Sequence, residues 1–115
     1  MRNKNSKVRC VKENFTKHKD VCRTYSPLQL AFAEQLESDP NIKAFSCNVP
    51  VKLYFGNGIY TTDFLCETAS GEKMVRECIE RDAIERPQKI KLLDASREFW
   101  LAKGIVNWGI VIDAE

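Results

Sequence analysis

Asp63 and Glu77 are the residues of this chain best placed by type and spacing to do chemistry. Asp63 sits in Tyr60-Thr61-Thr62-Asp63-Phe64-Leu65 and Glu77 in Met74-Val75-Arg76-Glu77-Cys78-Ile79, with Ser70-Gly71-Glu72 as a turn between the two runs. Read as a β-hairpin, this puts the two carboxylates on neighbouring strands, close enough to share a divalent cation. That arrangement belongs to metal-dependent phosphodiester cleavage. Acidic side chains in otherwise apolar strands need an explanation in any case, because a half-buried carboxylate is costly unless paired, hydrogen-bonded or metal-bound. A salt-bridged hairpin is the plainer alternative.

The elements that must position the pair are well punctuated. Ser26 and Pro27 open a helix as N-cap and first helical residue, Leu28, Phe32 and Leu36 fall on one face, and Asp39-Pro40 stops it. Extended segments follow over 42–47 and 49–55, with Pro50 favouring an edge or a bend between them. Gly56-Asn57-Gly58 is a turn leading into the strand that carries Asp63. After the Glu77 strand comes a charged loop over 80–87, ended by Pro87. From 88 to 103 the spacing of Ile90, Leu93, Arg97, Trp100 and Leu101 predicts an amphipathic helix closed by Gly104, and 105–112 supplies a last strand. Trp100, Phe99 and Trp108 read as core or partner-facing aromatics rather than a base-stacking platform.

At 115 residues the chain is one domain, and 43% apolar with 30% charged residues is ordinary for a globular protein. The net charge of +2 hides an asymmetry: residues 1–23 carry eight Lys and Arg against Glu13 and Asp20, whereas 24–115 carry ten against fourteen acids. A basic N-terminal arm over 1–23 on an acidic domain over 24–115 suits a polyanion, with Arg2, Lys4, Lys7, Arg9, Lys12, Lys17 and Lys19 as candidate DNA contacts; a solvated tail is the alternative. His18, between Lys17 and Lys19, suits phosphate contact and not catalysis. Cys10, Cys22, Cys47, Cys66 and Cys78 contain no C-x-x-C pair and His18 is far from most of them, so no zinc pattern is visible. Cys47, Cys66 and Cys78 fall in expected strands, where free thiols act as small buried hydrophobes, and this fits a reducing cytoplasm. No signal peptide and no membrane-spanning run is present in the sequence.

Ser26-Pro27-Leu28-Gln29, Leu36-Glu37-Ser38-Asp39-Pro40-Asn41-Ile42, Tyr60-Thr61-Thr62-Asp63-Phe64, Lys91 to Trp100 and Trp108 to Asp113 follow one another in an order and spacing that resembles the N-terminal nuclease domain of TnsA-type transposon endonucleases. The resemblance covers roughly residues 24 to 113. It implies a mixed α/β (α+β) fold with a restriction-endonuclease-like core, ordered α-β-β-β-α-β, in which a central mixed sheet is flanked by helices. It further implies cleavage of DNA phosphodiesters with Mg²⁺ or Mn²⁺ held by Asp63 and Glu77, in a mobile element (transposon or phage), beside a transposase partner and with a homodimer as one assembly.

The chain departs from that family at informative places. The first-helix acid of the family is Gln29 here, and an amide lacks the charge of a metal ligand; its plainer role is capping-box partner of Ser26. Thr62 stands where proline is usual before the aspartate. The expected E-x-K reads Glu77-Cys78-Ile79, so the lysine that balances charge in the transition state is missing. Lys89 and Lys91 at the start of the second helix, or Arg81 on the loop, have the reach to replace it, while Arg76 should point to the other strand face. All four also read as a solvated basic face. Glu67 is either an added ligand or an exposed strand-end charge. The alternative to an endonuclease is therefore a catalytically reduced nuclease fold that binds DNA or protein as a regulator, such as a phage protein inhibiting a host defence complex.

Overall fold

A computed structural model describes residues 10–52 and 59–113. Arg2, Lys4, Lys7, Arg9, the Gly56-Asn57-Gly58 turn and the end of the strand expected to reach Phe55 lie outside the described residues. The elements are β1 (Val11–Glu13), β2 (Cys22–Thr24), α1 (Pro27–Ser38), β3 (Ile42–Lys52), β4 (Ile59–Thr68), β5 (Lys73–Ile79), a 3-10 turn (Arg81–Ala83), α2 (Pro87–Ala102) and β6 (Trp108–Ile112). The fold is mixed α+β: a four-stranded mixed sheet in the order β3-β4-β5-β6 and two helices, with β1 and β2 as a separate antiparallel pair. The sheet is antiparallel until β5 and β6, which run parallel because α2 carries the chain back between them.

Alternation along β4 separates two layers. Phe64 and Cys66 join Ala33 and Leu36 of α1 with Phe45 in one cluster, while Leu65 joins Trp100, Ala95 and Phe99 of α2 with Val51 and Val75 in the other. The helices therefore cover opposite faces of the sheet. This regular alternation fails at one place. Cys47 and Phe64 face α1, yet Val49 two residues on packs in the α2 cluster, and Thr62 two residues back bonds Trp100 of α2. Asn48, at φ 54, makes the reversal. Pro50 lies on an edge strand, as one of its two readings had it; the other, a bend at Pro50, is corrected, since β3 is continuous, Pro50 pairs with Thr61, and the turnover sits at Asn48.

Both helices begin as their sequences demand. The Ser26 hydroxyl accepts the Gln29 N–H at 3.1 Å and Pro27 occupies the first turn of α1; Pro87 does the same in α2, which Gly104 follows at φ 89. The inward stripe of α2 differs from expectation. Ser96 and Trp100 are buried, while Ile90, Arg97 and Leu101 are exposed. The last strand begins at Trp108 rather than Ile105.

Residues 10–23, expected as an arm, are folded onto the domain. Phe15 stacks on Phe45 with ring centres 5.7 Å apart, and the Phe45 N–H donates to Lys17 O at 3.1 Å. Lys17 Nζ donates to the carbonyls of Leu36 at 3.0 Å and Asp39 at 2.7 Å, satisfying the open end of α1. The Thr16 N–H and hydroxyl donate to Glu37 Oε2, which holds that carboxyl below its ordinary range. Lys17 is therefore committed to a helix end and is removed from the candidate phosphate contacts, whereas Lys12 and Lys19 are exposed. Cys22 and Cys47 form a disulfide, which corrects the expectation of a free thiol at Cys47; Cys10, Cys66 and Cys78 are free. No helix among the described residues is long and apolar enough to cross a membrane.

Phe64 is fully buried between Phe32 and Phe45, so Phe64→Ala should cost about 3–5 kcal/mol of stability in urea unfolding, with Leu101→Ala close to neutral as its exposed control.

Candidate active site

The β4–β5 ladder runs from Glu67↔Lys73 to Phe64↔Arg76. Beyond it the carboxylates enter the ladder themselves. Glu77 Oε1 accepts the Asp63 N–H at 3.0 Å, and Asp63 Oδ2 accepts the Cys78 N–H at 2.7 Å. Asp63 and Glu77 thus replace backbone carbonyls as acceptors and stand side by side where the strands part. They do not face the same space. Asp63 opens into a cleft of about 520 Å³ lined by Gln29, Asn48, Ile79, Glu80 and Lys89 among others, and Glu77 is not in that lining.

Glu77 is buried at 1% exposure, behind Asp63 and under α2. The Ser96 hydroxyl donates to its Oε2 at 2.6 Å, and Ser96 in turn accepts the Trp108 indole N–H at 3.1 Å. Thr62 and Tyr60 also contribute hydrogen bonds to the carboxyl. Thr62 accepts the Trp100 indole N–H at 2.8 Å as well. Burial pushes the Glu77 carboxyl above its ordinary range, with the Ser96 hydroxyl first among the donors that pull it back. The same desolvation, aided by the Glu77 and Asp63 charges, raises the Tyr60 phenol and the Cys78 thiol.

Of the two roles considered for Gln29, the structure shows the cap, made through its backbone, while its side chain turns to Asp63. Its backbone N–H completes the Ser26 cap, its Oε1 accepts the Tyr25 N–H at 2.7 Å, and its Nε2 donates to Asp63 Oδ1 at 2.7 Å. The Tyr25 donor fixes the amide with its nitrogen toward Asp63, so Gln29 orients the carboxylate instead of offering a metal an oxygen. Burial first, then the Glu77 charge, push the Asp63 carboxyl up to about 7, against the pull of the Cys78 N–H, Gln29 and Lys89.

Lys89 and Lys91 part company. Lys89 shares the inward stripe of α2 with Ser96 and Trp100 and lines the Asp63 cleft, whereas Lys91 is exposed in a separate groove with Arg86, Pro87, Gln88 and Leu92. Ile79, where the resemblance would put a lysine, is buried at 3% and adds an apolar wall. Arg76 clamps β6, donating to Val75 O, Asn107 O and Asn107 Oδ1. Arg81 binds Asp113 through its N–H and its guanidinium. Glu67 lies outside the cleft and pairs at 4.0 Å with Lys43. His18 is engaged at both ring nitrogens by Asp20 O and the Cys47 N–H, which corrects its reading as a phosphate contact.

Sequence reasoning did not single out Glu80, Asn48 or Ser96. Ser96 carried a signal: it lies four residues before Trp100, a polar residue on a buried stripe. Glu80 and Asn48 carried none. A hard divalent cation would find donor oxygens on Asp63 and Glu80 in the cleft, with Glu77 reachable only by giving up one of its present donors. No protein-family model matches the chain, and no curated protein matches it.

The raised Asp63 carboxyl has a stability consequence with a definite sign. Its ordinary value is 3.8 and its folded value about 7, so the folded state keeps a proton that the unfolded state releases. Stability from this group is complete below about 4 and is lost as pH rises to about 7. Urea midpoints of the wild type, minus those of Asp63→Asn, should fall across that window. A flat difference would mean that the carboxylate is solvated.

Proposed function

We propose that this chain is a divalent-cation-dependent DNA endonuclease of restriction-endonuclease-like architecture, related to the TnsA-type transposon enzymes. The observation that carries the reading is the meeting of the Asp63 carboxylate, the Gln29 amide and the Lys89 ammonium at one open cleft, with Glu77 directly behind. The donor set fits Mg²⁺ or Mn²⁺: a carboxylate whose charge is opposed by burial and by a neighbouring acid gains from a hard cation. Such an ion, when bound, supplies an activated water and neutralises charge on the scissile phosphate.

The chain's own groups do the rest. Gln29 and the Cys78 N–H fix the two Asp63 oxygens, which leaves further lone pairs directed outward. Lys89 brings a positive charge to the cleft from a helix rather than from the strand position that Ile79 occupies. Exposed Lys12 and Lys19, with Arg2, Lys4, Lys7 and Arg9 ahead of them, supply phosphate contacts of no sequence preference. The resemblance adds a mobile-element setting and a transposase subunit as the partner that directs the cut; the cytoplasmic location rests on the free thiols of Cys66 and Cys78 and no longer on Cys47, which is disulfide-bonded.

A second reading has its own support. Both Glu77 oxygens already hold protein donors and Ile79 is apolar, as suits a fold that has given up cleavage and binds DNA or a protein partner as a regulator.

Nicking of supercoiled DNA separates the two. With Mn²⁺ the wild type should nick, Asp63→Ala should lose on the order of 10²-fold or more, Lys89→Ala should fall similarly and Lys91→Ala should be unchanged. Gln29→Glu with Ile79→Lys should raise the rate. Absence of cleavage by both the wild type and that double variant, each folded, would sink the nuclease reading in favour of the regulator.

A further inference from the structure

Away from the cleft, the only grouping of metal-ligating side chains of its kind among the described residues is His18, Cys22 and Cys47, whose ligand atoms all lie within 4.8 Å of one another. We propose that the reduced chain binds a zinc ion at Cys22, Cys47 and His18, so that this corner of the fold alternates between a disulfide and a zinc thiolate site. The inference does not depend on the nuclease reading.

The imidazole is held beside the two sulfurs in the tautomer that a metal would need. Its Nδ1 lies 2.5 Å from Asp20 O and its Nε2 accepts the Cys47 N–H at 3.1 Å, so the proton sits on Nδ1, and the Nε2 lone pair would pass from that backbone N–H to the metal. A carbonyl holding the far N–H is the usual outer partner of a metal-bound histidine. Phe45 buttresses the ring, with centroids 5.7 Å apart. Cys22 is fully buried and Cys47 and His18 half-buried, so two thiolates here would be costly without a cation. Zinc bonds of about 2.3 Å to sulfur and about 2.0 Å to nitrogen place tetrahedral ligand atoms about 3.5–3.8 Å apart, which small shifts of these side chains supply once the sulfurs part. Solvent completes the fourth position.

The chemistry balances with a thiol reductant. Two RSH reduce the Cys22–Cys47 bond to two thiols and leave as RSSR; Zn²⁺ then replaces the two thiol protons, which pass to solvent. Either form ties β2 to β3 beside Asn48, which lines the Asp63 cleft and donates to Arg23 O at 2.6 Å. The N-terminal segment thus stays docked in reducing and oxidising surroundings alike.

The test uses the full chain, reduced with a phosphine and titrated with Zn²⁺ against a chromophoric chelator, then with Co²⁺. Reduced protein should take one equivalent and show a sulfur-to-cobalt charge-transfer band, which oxygen ligation at Asp63 cannot give. Oxidised protein should show neither. Cys22→Ser, Cys47→Ser and His18→Ala should each weaken binding by more than the roughly 10–100-fold that loss of an outer partner costs, while Cys66→Ser and Cys78→Ser bind as wild type. If the reduced apo chain unfolds, recovery of its circular dichroism on adding Zn²⁺ supports the site and failure to recover counts against it. Absence of the cobalt band in folded reduced protein, or its survival in the Cys22→Ser, Cys47→Ser double variant, would overturn the proposal.

Discussion

The burial of Glu77 is the constraint on which the arrangement of this domain turns. A carboxylate at 1% exposure must find donors on every side, and it draws them from β4 through the Asp63 N–H, from α2 through Ser96, and from β6 indirectly through Trp108. The donors come from β4 and α2, and Trp108 of β6 holds Ser96, so satisfying one side chain ties the rotation of α2 to the sheet and to the approach of the last strand. Apolar packing around Val75 and Trp100 would tolerate several rotations of the helix. A hydrogen bond of 2.6 Å from Ser96 does not. With Ser96 fixed inward, Lys89 seven residues earlier falls on the same stripe and reaches the cleft.

The cleft itself follows from the parting of β4 and β5. Carboxylate oxygens take the N–H groups that ladder carbonyls would otherwise accept, and the strands separate at the point where Asn48 turns β3 over. The N-terminal turns of α1 and α2 then close over the gap from opposite faces, bringing Gln29 from one side and Lys89 from the other. Asp63 is placed where the two layers and the open ladder meet.

Local signals in the sequence were enough for what depends on local structure. Ser26-Pro27 fixed the start of α1, the Ser70-Gly71 turn set the register that opposes Asp63 and Glu77, and Gly104 marked the end of α2. What escaped depends on pairing over distance. Cys22 and Cys47 are separated by 25 residues and by a helix, so nothing in their spacing announces a bond. Lys17 reads as one cation of a basic run until the carbonyls of α1 are seen to lack partners. Ile90 and Leu101 suggested the wrong stripe of α2 because the residue that anchors the helix, Ser96, is polar, and hydrophobic periodicity gives polar residues no weight. Lys89 and Lys91 were indistinguishable for the same reason.

Gln29 also has a physical logic in a site that already holds two acids. Asp63 is pushed up to about 7 by burial and by Glu77, so a third carboxylate at 2.7 Å from its Oδ1 could persist only if protonated or bridged by a cation. An amide of the same shape needs neither. It donates to Asp63, accepts from Tyr25, and adds no further charge to the site. Ile79 acts in the same direction, since a buried ammonium beside Ala83 and Leu28 would need the very carboxylates that Gln29 and Ser96 now satisfy. Gln29 and Ile79 are therefore coupled: an amide on α1 lessens the need for a cation on the strand, and among the described lining residues Lys89, on the first turns of α2, is the cation whose charge acts on Asp63.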